Sequence, residues 1–274
     1  MTARSSKSRI LTDFMASHPV FTREEIVAAH TGAGRSSRTT TNLLARHVAG
    51  GRLLRIRQGL YATVPPGASA DSFSPDPYLV AGRSRDDAVV AYHSALAFHG
   101  RAYSTWHRVQ FLTAARVRSF RFRGYEFLGI QAPAAVRDLP DFGGGVLVRP
   151  HAGAQCRVTS LERCFVDLLQ APEHGGDWEE MCRSFEMIEF LNVDLVVQLT
   201  LRMQSALTVS RVGYFLERHR TTWMVGDSHL GALESRAPGQ PRYLDPRRAS
   251  GALDRRWNLV VPDYVRERGW EEPR

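Results

Sequence analysis

Residues 20–64 read VFTREEIVAAHTGAGRSSRTTTNLLARHVAGGRLLRIRQGLYATV, and this stretch decides the fold. Thr22 followed three residues later by Glu25 is a capping box, in which the hydroxyl and the carboxylate each bond the other residue's backbone N–H. Phe21 and Ile26 flank it as a hydrophobic staple, so a helix opens at Arg23 and runs to about His30. Gly32 and Gly34 break that helix. Another helix is expected from about Arg38 to Ala49, stopped by Gly50-Gly51.

At about 100° per residue with Arg38 at zero, Leu43, Leu44 and Val48 of this helix fall between about 140° and 280°. Arg38, Thr39, Asn42 and Arg46 fall on the other side, within about 0° to 100°. One face is for a core. The other carries guanidinium, hydroxyl and amide groups, the types that bond base edges and phosphates. Leu54 and Ile56 then alternate with Arg55 and Arg57 as in a strand, Gln58-Gly59 turns the chain, and Leu60 to Val64 returns.

Working outward, Ile10, Leu11, Phe14 and Met15 share one face of a preceding helix that ends near His18-Pro19. Three helices and a hairpin within about 60 residues make a winged helix-turn-helix, with the third helix entering the major groove and the hairpin lying along the phosphates. Arg38, Thr39 and Asn42 are the candidates for base contacts. Ser36, Ser37, Arg46, Arg55 and Arg57 are those for phosphates, and Arg35 and Gln58 complete the expected DNA-facing set.

Charge supports this reading. The chain has 274 residues and a formal net charge of +8. Residues 1–64 hold ten basic and three acidic residues, while the rest holds 26 and 25. A basic segment that also folds points to a polyanion, most simply double-stranded DNA.

Pro65 to Ser72, with Pro75 and Pro77, reads as a linker. The expected organisation is a DNA-binding domain over 1–65, a linker over 66–79 and a second domain over 80–274. In the latter, strands are expected at Val89 to Tyr92, Val109 to Leu112, Phe120 to Ile130, Val146 to Val148, near Arg157-Val158 and at Arg256 to Pro262. Helices are expected at 93–99, at 161–170 behind a Thr159/Glu162 cap, at 178–190, at 193–204 behind Asn192 and at 210–219. Strands first and helices later make an α+β domain.

Lys7 is the only lysine. That sets aside P-loops, Schiff-base enzymes, protein kinases and nuclease cores built on E-x-K. His93 and His99 are six apart and share no helical face, and Glu186 and Glu189 have no histidine to complete a metal set. Gly143-Gly144-Gly145 precedes a strand, so it is read as a turn and not a phosphate cradle. Cys156, Cys164 and Cys182 form no C-x-x-C pair and read as buried thiols. No catalytic residue, metal or cofactor is expected. With no run of about 18 apolar residues and no apolar segment behind the N-terminal charges, the expectation is a cytoplasmic protein without a membrane partner. Arg116, Arg118, Arg121 and Arg123 are interleaved with Phe120, Phe122 and Tyr125. They read either as a strand with arginines on its wet face, the favoured reading, or as a contact for nucleic acid or an acidic partner.

Gly51 to Tyr61 resembles the wing of the AbiEi family, the antitoxin and transcriptional-regulator components of type IV toxin–antitoxin (abortive infection) systems. Tyr92 to Gly100, Val158 to Leu169, Val212 to Glu217 and Arg256 to Pro262 resemble further segments of that family, in order. The resemblance implies a winged helix that binds inverted repeats in its own promoter as a repressor. It also implies a second domain that counteracts a nucleotidyltransferase-like toxin. Some members carry a nuclease-like C-terminal domain, against which the missing lysine and the Trp257 segment argue. The alternative is a stand-alone DNA-binding regulator whose second domain senses a ligand or oligomerises.

Overall fold

The computed structural model describes residues 12–31, 37–245 and 250–269. The chain opens with α1 (residues 12–17), β1 (Val20–Thr22), α2 (Arg23–Thr31), α3 (Ser37–Ala49), β2 (Leu53–Arg57) and β3 (Leu60–Thr63). The strands form one antiparallel sheet in the order β1-β3-β2. This order and pairing are compatible with a winged helix-turn-helix. The capping box is present: Glu25 N–H donates to Thr22 Oγ1 at 3.2 Å, and Thr22 N–H to Glu25 Oε2 at 2.7 Å. Strand β1 is too short for its two apolar residues to signal a strand, and the sequence reading had assigned Phe21 only to the staple.

The head's sheet is buried on both faces. Met15, Phe21, Ile26, Leu44 and Leu53 make a small core between it and the head's helices. Val20, Ile56, Leu60 and Ala62 face the other way and join the large core of the rest of the chain. Alternation along the strands produces the split: Val20 and Phe21 are neighbours, yet they enter different cores.

Residues 65–76 are turn and coil along the surface, with Phe73 packed on the large core. Asp76 then caps α4 (Pro77–Gly82), accepting from Leu79 N–H at 3.0 Å, and α4 buries Leu79, Val80 and Ala81. A mixed six-stranded sheet follows, in the order β6-β7-β5-β4-β9-β8. Its members are β4 (Val89–Val90), β5 (Arg108–Thr113), β6 (Phe120–Phe122), β7 (Tyr125–Gln131), β8 (Val146–His151) and β9 (Ala154–Thr159). The single strand expected over Phe120 to Ile130 is in fact a hairpin. Arg123 (φ 49°) and Gly124 (φ 80°) turn the chain between β6 and β7.

Helix α5 (Tyr92–Phe98) sits between β4 and β5, and the later half is helical. It contains α6 (Leu161–Gln170), α7 (Trp178–Glu186), α8 (Val193–Arg202), α9 (Ala206–Arg218) and α10 (Asp227–Glu234). A small sheet of β10 (Arg242–Tyr243), β11 (Gly251–Asp254) and β12 (Leu259–Pro262), then α11 (Asp263–Arg266), follow. The architecture is mixed α+β, as expected. Several boundaries differ from the sequence reading: β4 stops at Val90 with Tyr92 opening α5, α8 ends at Arg202, and the last strand begins at Leu259. The α6 cap is Ser160, not Thr159, with Glu162 turned instead to Asn192 N–H. Helix α9 begins at Ala206 behind Ser205, and α7 ends at Glu186.

Helix α6 is buried from Arg163 to Leu169, so the two charged residues within that stretch must satisfy each other. Arg163 Nε donates to Asp167 Oδ1 at 2.7 Å, one turn on, and both side chains are fully buried. Arg163 Nη1 also donates to the Phe142 and Gly144 carbonyls at 2.7 and 2.9 Å. The glycine turn before β8 is therefore clamped from inside. Gly145 could not carry a side chain there, since a Cβ would meet Arg163 Cβ at 2.8 Å. Replacing Arg163 by Met leaves Asp167 and two carbonyls without this donor. Its expected cost is about 3–5 kcal/mol, measured as a shift of the urea midpoint; a loss below 1 kcal/mol would mean that the clamp is dispensable.

Candidate nucleic-acid interface

Helix α3 is seated by its inner face. Leu44 is buried, Leu43 and Val48 are half-buried, and Thr40 Oγ1 meets His30 Nδ1 of α2 at 3.0 Å inside the head. Arg23 Nη2 donates to Thr41 Oγ1 at 3.2 Å, tying the start of α2 to α3. Gly51, at φ 68°, ends α3 in a Schellman motif: Arg52 N–H reaches the His47 carbonyl at 3.0 Å, and Gly51 N–H reaches that of Val48 at 3.1 Å. Only a left-handed residue closes the helix this way, and glycine takes that conformation without a Cβ clash.

Asn42 and Arg46 are exposed on the outer face of α3. Ser37, Arg38 and Thr39 form its first turn, where only the backbone is described, and Arg35 and Ser36 lie outside the described residues. The Schellman turn brings Arg52, itself exposed, back to the last turn of α3 beside His47. Burial, then Arg52 and Arg46, hold the His47 imidazole below its ordinary pKa. Neither Arg52 nor His47 was singled out from the sequence as a site residue. The readable signal was Gly50-Gly51, which fixes where the next residue returns.

The wing arginines part company. Arg55 is exposed on β2. Arg57 lies beyond a bulge in the β2–β3 register and turns to the body of the protein. Its Nη2 donates to the Ser84 carbonyl, and its guanidinium lies 4.6 Å from the Phe120 ring centre. Burial, with help from Arg85, lowers its pKa. Gln58 is exposed at the turn, where Gly59 takes φ 80° and accepts from Arg23 N–H at 2.7 Å. The structure thus gathers Asn42, Arg46, His47 and Arg52 at α3, and sets Arg57 at the junction with the body.

Elsewhere, burial lowers the pKa of His93, which stacks on Trp106 at 3.6 Å and bonds Glu180 Oε1 at 2.9 Å. His99 Nε2 meets the Thr159 carbonyl at 2.8 Å. No group of three or more His, Cys, Asp or Glu able to hold a metal occurs among the described residues. The cysteines are free and buried, and burial pushes the Cys156 thiol up to about 12. No described helix is long and apolar enough to cross a membrane.

The fold defines a class: a mixed α+β protein whose N-terminal head of helices and a three-stranded sheet carries an excess of positive charge. Residues 9–64 match the family described as "Transcriptional regulator, AbiEi antitoxin", so the resemblance read from the sequence is shown over that segment. DNA is the partner that such a family of regulators implies. Among solved structures, the fold is similar to that of the RV2827C protein from Mycobacterium tuberculosis. The TM-score is 0.56 at 19% identity, over 96% of this chain and 94% of that one. No curated protein sequence matches the chain significantly.

Replacing Arg57 by Ala removes both its bond to Ser84 and its contact with Phe120. The expected cost is about 1–3 kcal/mol, measured by urea unfolding. Unchanged stability would show that the wing is not held to the body through this side chain.

Proposed function

We propose that the chain is a DNA-binding autorepressor and antitoxin of a type IV toxin–antitoxin system. In this reading residues 1–65 bind inverted repeats in the chain's own promoter, and residues 80–274 counteract a nucleotidyltransferase-like toxin. The observation that carries it is the match of residues 9–64 to an antitoxin-regulator family on a head whose third helix exposes Asn42 and Arg46. Arg38, Thr39 and Asn42 read bases, and Ser36, Ser37, Arg46, Arg52 and Arg55 hold phosphates. The role is regulatory, not enzymatic.

A duplex of the upstream promoter, followed by fluorescence anisotropy at several salt concentrations, tests the head. Arg46→Ala should weaken binding to every sequence and flatten the slope of log affinity on log salt by about 0.9. Arg38→Ala or Asn42→Ala should cost about 1–3 kcal/mol and relax the preference at one base position. Wild-type affinity in all three variants would remove α3 from the interface. Growth rescue on co-expression with the neighbouring gene tests the antitoxin activity; failure of the full-length chain to rescue would reject it.

Nearby phosphates favour protonated His47, so DNA raises a pKa that burial, then Arg52 and Arg46, depress in the free protein. Binding then takes up a proton. Affinity should rise as pH falls through the range around the ordinary histidine value of about 6.5. His47→Gln should abolish that dependence; an unchanged pH profile in the variant would place His47 away from the phosphates.

A second reading, a stand-alone regulator whose C-terminal part senses a ligand, is favoured by one observation. A groove of about 850 Å³ opens beside β6, with Trp106, Arg108, Arg121, Arg123 and Glu126 in its lining.

A further inference from the structure

That groove lies at the free edge of the six-stranded sheet, and the DNA reading leaves it unused. Three residues stand in register across three strands there: Arg108 on β5, Glu126 on β7 and Arg121 on β6. Arg108 Nε donates to Glu126 Oε2 at 2.8 Å, so the one carboxylate of the row already has its cation. Arg121 is exposed and forms no ion pair among the described residues. Arg123, at the turn, donates from Nη2 to the Ala70 carbonyl at 2.6 Å, a bond that holds the guanidinium without neutralising it. The lining thus carries three guanidinium groups against one carboxylate.

One wall is Trp106, half-buried and rigidly held. His93 covers one face of the indole, parallel to within 5°, and Glu180 anchors His93. Trp106 Nε1 donates to Ser104 Oγ at 3.0 Å, and Glu180 Oε1 accepts from Ser104 N–H at 3.0 Å. Arginines on an edge strand are explained by protection against strand pairing. That need accounts neither for a concave wall nor for an indole fixed by a buried histidine that Glu180 holds.

Guanidinium groups bind phosphate by paired N–H bonds, and a fixed indole offers a surface on which a base can stack. A volume of about 850 Å³ falls within the ordinary range of small-molecule sites, roughly 300–1,000 Å³. We propose that this groove binds a free nucleoside triphosphate, its phosphates on Arg121 and Arg123 and its base against Trp106. The site stands apart from the DNA reading: loss of promoter binding would leave it intact, and its own failure would leave the head's role untouched.

Equilibrium dialysis of the full chain against ATP, GTP, CTP and UTP tests it, with tripolyphosphate and a short single-stranded oligonucleotide as controls. At least one nucleotide should bind at sub-millimolar concentration and more tightly than tripolyphosphate. Arg121→Gln should weaken that binding about tenfold, equivalent to 1.4 kcal/mol, without changing the melting temperature, because Arg121 makes no side-chain hydrogen bond or ion pair among the described residues. Trp106→Leu should weaken it too, while tripolyphosphate binding stays as it was. Should no nucleotide bind, should tripolyphosphate bind as well as any nucleotide, should only the oligonucleotide bind, or should Arg121→Gln bind as wild type, the proposal is overturned.

Discussion

Burial of the head's three-stranded sheet on both faces is the constraint on which the rest of the molecule depends. A sheet with one wet face would leave the winged helix a separate module on a tether. Here Phe21, Tyr61 and Leu53 serve the head's small core, while Val20, Leu60, Ala62 and Ile56 serve the large one. Arg57 bonded to Ser84, and Arg83 3.5 Å from Glu25, add polar contacts at the same junction. The orientation of α3 is therefore set by the body as well as by the head, since apolar surface exposed on separation would cost about 25 cal/mol per Å².

The segments that carry the family resemblance are distant in sequence and adjacent in space. Val90 of the strand before α5 pairs with Val158, and His99 reaches the Thr159 carbonyl. Gly213 of α9 lies under the Trp257 ring, so closely that a Cβ there would sit 2.2 Å from it. Trp257 Nε1 and Arg256 both donate to the Glu217 carboxylate, at 2.7 and 2.6 Å. The segment 212–217 and the segment 256–262 are thus two sides of one contact. That contact explains why a glycine, a tryptophan and a glutamate are needed at those positions.

Much of the head was legible because its signals are local. The capping box, the staple, the Gly50-Gly51 stop and the alternation of Leu54 to Arg57 each act within a few residues. In the body, α6 and α8 were legible for the same reason. The hairpin at Arg123-Gly124 was missed because aromatic and arginine residues run on through the turn without a change of pattern. Strand β1 and helix α4 were missed because each is short and takes its stability from what covers it. The groove beside β6 was seen only as a run of arginines, since the pairing of β5, β7 and β6 is what brings Arg108 and Arg121 to either side of Glu126.

By itself the sequence determined the basic head of helices and a hairpin, the division of α3 between a buried and an exposed face, the exclusion of lysine-dependent chemistry and the α+β class of the remainder. Those follow from composition and from interactions between residues a few positions apart. Only the tertiary structure decided that Arg57 serves the junction and that Trp106 is held behind His93 and Glu180. Each of these depends on which distant backbone or side chain occupies the facing position, and the pattern of a single strand or helix carries no information about its neighbour across the fold.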